Sequence, residues 1–456
     1  MYMLTRYGVK LGLHDPNVAM YKDELTVSPK QSDYQRYPVR YKLYLQTKNN
    51  LYVPRFFKRW TTPAWPSDVM CERIQIINNI QFIGTLRDNT CQNEASERVI
   101  SSLNMKGGCV LNLPTGYGKT TVALHVLSVM KVKTLIIVHK EFLMEQWHRK
   151  IIEFIPDCKI GKIQGGIVDT ENKDVVLGML QSLSMKSYDV NTFDTFGMTI
   201  IDEAHHVCSQ TFSNIFKKFN TKYILGLSAT LERSDGLTNV LHWYLGDIGF
   251  TTSRKEQHHV YVNVMPYTNP LYSTPFPKNN NGNTNLPLAI TQLVELADRN
   301  DMIMAKLYEL YATGRKIIVL TDRRIHCEML YERTKSELGV SEVGLYIGGM
   351  KSEELQQSET KRIIIATYTL AHEGLDIPTL DTVMLITPKS NIVQAVGRIL
   401  RETLGKKNNP LIIDILDKWG PFYSQYKKRE SYYLQTGFNI DGYTQETVMF
   451  LEEGAL

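Results

Sequence analysis

The chain changes its hydrophobic rhythm twice. Up to residue 84 the apolar positions come in short alternating runs. Tyr41–Thr47 alternates, Lys48-Asn49-Asn50 suits a turn, and Leu51–Val53 can return as a second strand, which predicts a small β-rich segment. From 85 to about 250, helical stretches alternate with short apolar runs at Cys109–Leu113, Thr134–Val138, Val175–Met179, Met198–Ile201 and Tyr223–Leu227. That alternation is the signature of a parallel sheet with crossover helices. A polar stretch at 268–287, with four prolines and six asparagines, predicts a loop or linker. The α/β alternation then resumes, with strands expected at Lys316–Leu320, Lys361–Ala366, Thr382–Ile386 and Leu411–Ile415. The expected division is an accessory domain at 1–84, α/β domains at 85–255 and 288–420, a linker at 256–287 and a tail at 421–456.

Composition narrows the class. The 456 residues are 43% hydrophobic and 22% charged, enough for ordinary cores and unlike a disordered chain. No apolar run approaches the roughly 18 residues that span a bilayer. The start, MYMLTRYGVKLG, lacks the apolar core of a secretory signal, and the six cysteines show no zinc spacing. An intracellular protein with reduced thiols is expected. The net charge of +5 is unevenly placed. Residues 1–84 hold 12 Lys/Arg against 6 Asp/Glu, a net of +6, together with 13 of the 45 aromatics. The remaining 372 residues hold 40 against 41, a net of −1.

Candidate chemistry starts at Leu113-Pro114-Thr115-Gly116-Tyr117-Gly118-Lys119-Thr120, between a strand and an apolar helix. Gly116 and Gly118 let the backbone curl its N–H groups toward phosphate oxygens, and the helix N-terminus adds partial positive charge. Lys119 would reach the β- and γ-phosphates and Thr120 would hold Mg²⁺. Leu113 stands where the general pattern has a further glycine. Downstream, Ile200-Ile-Asp-Glu-Ala-His-His206 ends a predicted strand. Asp202 there can join the Mg²⁺ shell, and Glu203 can take a proton from an attacking water. His205 and His206 have no further ligands at zinc spacing. In the second α/β unit, Gln394-Ala-Val-Gly-Arg-Ile-Leu-Arg401 places Arg398 and Arg401 three apart, on one face if helical. Such a pair can stabilise charge on a transferred phosphoryl group. Ahead of it, 366–378 reads as a strand leading to a tight turn at Gly374 and Pro378, with Asp376 positioned to bond a ribose or an arginine.

TGYGKT, IIDEAHH, GLSAT and QAVGRILR stand in the order and spacing of superfamily 2 helicases. GLSATLERSDG and YLGDIGF resemble the branch containing XPB-type helicases and UvsW. EGLDIPTLD, GRILRET and a final TGF are similar to the poxvirus transcript-release helicase and related proteins of large DNA viruses. The resemblance covers about 85–440. It implies two tandem RecA-like parallel-sheet domains preceded by the β-rich accessory domain, in an α/β protein. It also implies a monomeric DEAH-box motor using ATP and Mg²⁺, in which both α/β units sandwich the nucleotide. The phosphate loop from Pro114 to Thr120 would bind ATP with Gly374 and Asp376. Lys119, Asp202, Glu203, Gln394, Arg398 and Arg401 would be catalytic, with Thr120 and Asp202 on the metal. His205, Ser228, Ala229 and Thr230 would couple nucleotide state to domain closure. Leu86-Arg87 resembles the entry to the first domain, with Gln92 two residues later than the family's adenine-reading glutamine.

By the same resemblance, loops after strands would grip a sugar–phosphate backbone. The candidates are His139, Lys140, Gln181, Ser182, Thr321, Asp322, Gly348, Gly349 and Thr367. The basic, aromatic segment 1–84 suits single strands or distorted duplexes, or equally a small β-domain with its aromatics in the core. It is expected to serve binding more than hydrolysis. DNA is the expected partner, in transcript release, transcription, replication or repair alongside that machinery, with no membrane. The expected location is inside the cell, and for a viral protein the host cytoplasm and virion. An RNA or DNA–RNA hybrid substrate is one alternative. Another is an ATP-dependent DNA clamp that does not unwind, and a third is a different class of P-loop ATPase, such as an assembly factor.

Overall fold

The computed structural model describes residues 3–30, 40–58, 73–189, 191–219, 221–229, 235–253, 259–375, 377–400 and 406–441. By its contacts the chain divides into two compact units, 1–253 and 254–456.

The first unit is built on an eight-stranded sheet. Its strands run in the order Ile167–Asp169, Ile160–Gln164, Val175–Met179, Thr134–Val138, Met198–Ile201, Tyr223–Ser228, Gly108–Asn112 and Ile248–Thr251. Every pairing is parallel except the outermost hairpin, 160–164 with 167–169. The five strands legible as apolar runs are the central ones, because strands covered on both faces have no polar side to betray alternation. The three others sit at or near the edges and mix polar residues in, as in Ile160-Gly-Lys-Ile-Gln164.

Successive strand residues point to opposite faces. On one face, Leu111, Ile136, Val138, Leu177 and Ile200 meet the helices Gln92–Lys106, Lys119–Met130 and Glu141–Phe154. On the other, Val110, Leu135, Ile137, Val176 and Ile201 share one core with Leu241 and Leu245, and also with Val9, Leu11, Leu25, Leu51, Val53 and Phe57. The N-terminal segment is therefore part of the layer covering this sheet. It folds as four antiparallel strands in the order Met3–Thr5, Gly8–Gly12, Asn50–Val53, Leu45–Gln46. The turn expected at Lys48 and Asn49 joins the last pair, but Tyr41–Lys42 pairs with Thr26–Val27 instead. Arg55 is buried and donates to the carbonyls of Thr221 (2.9 Å) and Lys222 (3.0 Å). The Tyr41 hydroxyl donates to the Cys208 carbonyl, and the Tyr244 hydroxyl to that of Leu43.

The second unit holds seven parallel strands in the order Val343–Tyr346, Ile363–Thr367, Ile317–Thr321, Thr382–Leu385, Leu411–Asp417, Tyr261–Tyr267 and Asn439–Asp441. The stretch 256–287, read as a linker from its polarity, contains the strand Tyr261–Tyr267 inside this sheet. The residues after 420 form the helix Pro421–Gln435, whose Phe422, Tyr426, Arg429 and Tyr433 are buried. Among the described residues no helix is long and apolar enough to cross a membrane.

Candidate nucleotide site and nucleic-acid loops

The phosphate loop joins the buried strand Gly108–Asn112 to the helix Lys119–Met130. Gly116 and Gly118 adopt φ of +88° and +82°, a region costly for any residue with a Cβ. At Gly118 a Cβ would also lie 2.4 Å from the Gln92 amide nitrogen. Lys119 Nζ donates to the Leu113 carbonyl at 3.2 Å, folded over the loop's own mouth. The Leu113 N–H donates to Ser228 O at 3.2 Å, tying the loop to the neighbouring strand. Pro114, Thr115, Tyr117 and Thr120 are half-buried around this turn, with Thr120 in the first helical turn.

Asp202 follows the strand Met198–Ile201. The strand ending in Ser228 lies between it and the strand that feeds the phosphate loop. Loop, Ser228 and carboxylate pair thus emerge from three consecutive strands at one sheet edge. Asp202 Oδ2 accepts from Trp147 Nε1 at 2.9 Å, and its Oδ1 accepts from the Glu203 N–H at 3.0 Å. Exclusion of water, then the Glu203 charge, push the Asp202 carboxyl above the usual carboxylate range, while Trp147 and Lys119 pull it back. A divalent cation at this carboxylate would relieve both upward causes, so the donor set fits Mg²⁺. Glu203 sits at φ +45°, a strained conformation for a non-glycine residue. His205 Nδ1 lies 3.5 Å from Glu203 Oε2. The His206 ring is 4.3 Å from His205 and 4.0 Å from His139.

Three features of this site were not read from the sequence. Gln92 is 1% exposed: its Oε1 accepts from the Arg87 N–H (3.0 Å) and its Nε2 donates to the Tyr117 carbonyl (2.9 Å). Its side chain braces the phosphate loop. Gln92 directly follows the 3₁₀ turn Asp88–Thr90 and Cys91, which adopts φ +55°. Trp147 reads as core in an amphipathic helix, yet its indole N–H reaches the Asp202 carboxylate. His139, expected as a backbone-gripping residue, is buried against His206, and water exclusion lowers its pKa.

In the second unit the helix Val393–Ile399 presents Gln394 and Arg398, both half-buried, with Gly397 buried. Arg398 Nη1 donates to the Leu375 carbonyl at 2.5 Å. The helix stops two residues before Arg401, which lies outside the described residues with Asp376 and Thr230. The stretch read as a tight turn forms the helix Tyr368–Gly374, so Gly374 ends a helix and the turn falls at Pro378. Ala229 is described and follows Ser228 out of the sheet.

The remaining candidate loops lie at strand C-terminal ends. Ser182 Oγ accepts from the Gly165 N–H, Gln181 donates to the His139 carbonyl, and Lys140 precedes the helix Glu141–Phe154. In the second unit Thr321 and Thr367 are paired across adjacent strands, and exposed Gly348 and Gly349 follow the next strand outward. Thr321 is the exception: it is fully buried and its hydroxyl bonds His326 Nδ1 at 2.9 Å. Its side chain serves the core, which the strand-end rule did not foresee. Asp322 is held by Lys389 at 3.1 Å.

The family model for "Type III restriction enzyme, res subunit" matches residues 85–233, and that for "Helicase conserved C-terminal domain" matches 301–403. A protein of Acanthamoeba polyphaga mimivirus named "Putative ATP-dependent RNA helicase L396" is 34% identical over 452 residues, covering 96% of this chain and 86% of its own. "Putative ATP-dependent RNA helicase QP509L" of African swine fever virus (strain Badajoz 1971 Vero-adapted) is 27% identical, covering 74% and 70%. Among solved structures, the ATP-dependent Type ISP restriction-modification enzyme LlaBIII bound to DNA aligns at TM-score 0.53 and 16% identity. That match covers 82% of this chain but about a third (32%) of the enzyme, and it speaks to fold alone. T4 UvsW aligns over 97% of this chain and 98% of its own at TM-score 0.37 and 18% identity. With both domain models in tandem and a viral relative matched over nearly its whole length, the chain belongs to the superfamily 2 helicases.

Proposed function

We propose that this protein is an ATP-driven motor that moves along a nucleic-acid strand. The observation that supports it most is the single sheet edge carrying Lys119, Ser228, Asp202 and Glu203. Left-handed glycines and the N-terminus of a twelve-residue helix suit the phosphates of ATP. Thr120 and Asp202 would hold Mg²⁺, which when bound neutralises charge on the β- and γ-phosphates. Lys119 leaves the Leu113 carbonyl for the phosphate oxygens. Glu203 takes the proton from the attacking water, and His205 steadies that carboxylate. Hydrolysis also draws on Gln394, Arg398 and Arg401 of the second unit, which stabilise charge on the transferred group.

DNA is the substrate we favour, from the resemblance of GLSATLERSDG and the accessory segment to the DNA-acting branch, with transcript release, replication or repair as settings. A second reading, RNA, is favoured by the names of the mimivirus and African swine fever virus relatives. Phosphate release measured with single-stranded, duplex, forked and RNA substrates tests both. Stimulation by DNA above RNA supports the first reading, and the reverse order supports the second. Stimulation by neither would sink the motor.

A further inference from the structure

Four residues, Ile386–Lys389, lead from the strand Thr382–Leu385 toward the helix that presents Gln394 and Arg398. Three of their four carbonyls are held by side chains. Arg299 Nη2 donates to Ile386 O (2.9 Å), the Tyr368 hydroxyl to Thr387 O (3.0 Å) and Arg429 Nη1 to Lys389 O (2.7 Å). From the other side, Thr387 Oγ1 accepts from the Asp322 N–H at 2.9 Å, and Lys389 pairs with the Asp322 carboxylate.

Each arginine is seated on a carboxylate of the strand Leu411–Asp417. Arg299 Nε and Nη2 donate to Asp417 at 2.9 and 2.7 Å; Arg429 Nε and Nη2 donate to Asp414, both at 2.8 Å. The hydroxyls of Tyr272 and Tyr433 add bonds of 2.7 and 2.8 Å to the same two aspartates. Arg299 and Asp414 are wholly buried, and Arg429 and Asp417 are 2% exposed.

Two buried ion pairs are a costly way to fill a core, because apolar residues of similar volume usually hold a fold equally well. What an apolar pair cannot do is donate to a backbone carbonyl. The guanidinium can face a carboxylate and still have an N–H for a third group, whereas an ammonium has no such fork. We infer that Arg299 and Arg429 are positioning residues: by fixing Ile386–Lys389 they set where the Gln394–Arg398 helix begins and thereby where Arg398 acts. The inference rests on the reading that Arg398 serves ATP hydrolysis. A displacement of about 1 Å at such a group can cost about 100-fold in rate.

The test uses the full chain. The combined variant Asp414→Leu, Arg429→Met, Tyr433→Phe replaces the pair and its hydroxyl by apolar groups. Arg429→Lys keeps the charge, and Tyr368→Phe removes one donor while keeping the ring. Each is measured for unfolding midpoint, affinity for a non-hydrolysable ATP analogue and nucleic-acid-stimulated kcat. The expected result is a near-normal analogue affinity in all three and a near-normal midpoint in the combined variant, with a lowered midpoint but a still-folded chain for Arg429→Lys; kcat falls about 10- to 100-fold in the first two and several-fold in the third. A folded variant of any of the three with wild-type kcat would overturn the inference, and so would a kcat loss matched by lost analogue affinity. Arg398→Ala separates the two levels. If it leaves turnover intact, the reading of Arg398 fails. If it stops turnover while Arg429→Lys keeps the wild-type kcat, only the positioning role fails.

Discussion

At the scale of single residues, the candidate nucleotide site divides into groups that chemistry names and groups that only packing reveals. Lys119, Asp202 and Glu203 are legible because phosphate and metal chemistry demand those residue types after a strand. Lys119→Ala should reduce phosphate release at least about 100-fold without unfolding the protein, since the half-buried side chain lies at the loop, where Nζ donates to the Leu113 carbonyl, and not in the core. Trp147 was illegible because an indole on an apolar face looks like core until its N–H finds Asp202. Trp147→Phe should raise the Mg²⁺ concentration for half-maximal turnover about tenfold, a loss that a magnesium titration of ATPase would register. Thr321 errs in the opposite direction. A strand-end hydroxyl looked free for phosphate, but it bonds His326, whose other nitrogen meets Asn300 Oδ1 at 3.0 Å. Burial and nearby Arg299 lower the His326 pKa to about 3. Below the unfolded value near 6.5 the unfolded chain binds a proton that the folded chain does not. Stability contributed by this site is therefore complete above pH 6.5 and lost as pH falls toward 3, by up to about 1.4 kcal/mol per unit. Urea midpoints measured from pH 7 to 4.5 should fall more steeply for the wild type than for His326→Gln. Equal slopes would remove His326 from the account.

At the scale of elements, the central parallel strands were readable and the strands at or next to the sheet edges were not, for one physical reason. A strand covered on both faces must be apolar throughout, whereas Ile160–Gln164 and Tyr261–Tyr267 carry polar residues that break the run. The N-terminal segment shows a second limit. Its charge and aromatics suggested a separable substrate module, and its strands were partly legible, but nothing in a local pattern tells which surface a small sheet covers. Val9, Leu11, Leu51, Val53 and Phe57 close the same core as Ile201 and Leu241. Tyr41 holds the Cys208 carbonyl at the end of the 3₁₀ helix that follows Glu203, and Arg55 holds the carbonyls just before the strand ending in Ser228. Removing residues 1–84 should therefore destabilise the whole first unit, with ATPase lost together with binding. The milder Leu51→Ala, at a side chain with no exposed surface, should cost about 2–5 kcal/mol in chemical denaturation. A deletion variant that melts like the full chain would restore the separable-module view.

At the scale of the whole molecule, charge placement bears on how a motor grips and releases. Residues beyond 84 carry 40 basic against 41 acidic side chains, so a diffuse positive field cannot do the holding. Oriented backbone N–H groups and short polar side chains at strand ends can, as at Ser182, Thr367 and the exposed Gly348–Gly349 turn. Contacts of that kind are local and release few counterions, in contrast to a lysine-rich groove. The excess of +6 lies in the N-terminal segment, which is fixed to the first unit by a shared core. Its described cations thus belong to the same unit as the phosphate loop and Asp202. Two terms follow for affinity: a salt-insensitive one from the strand-end loops and a salt-sensitive one from the segment. Exposed basic positions such as Lys42 and Lys48 can be neutralised without touching the core. For Lys42→Gln with Lys48→Gln we expect basal ATPase unchanged and a shallower plot of log affinity against log salt. The slope should fall by up to about 0.7–0.9 for each lysine that meets a phosphate. Fluorescence anisotropy with a labelled single strand from 50 to 300 mM salt measures that slope. An unaltered slope would assign the salt dependence to the α/β units and leave the segment as a cover for the sheet alone.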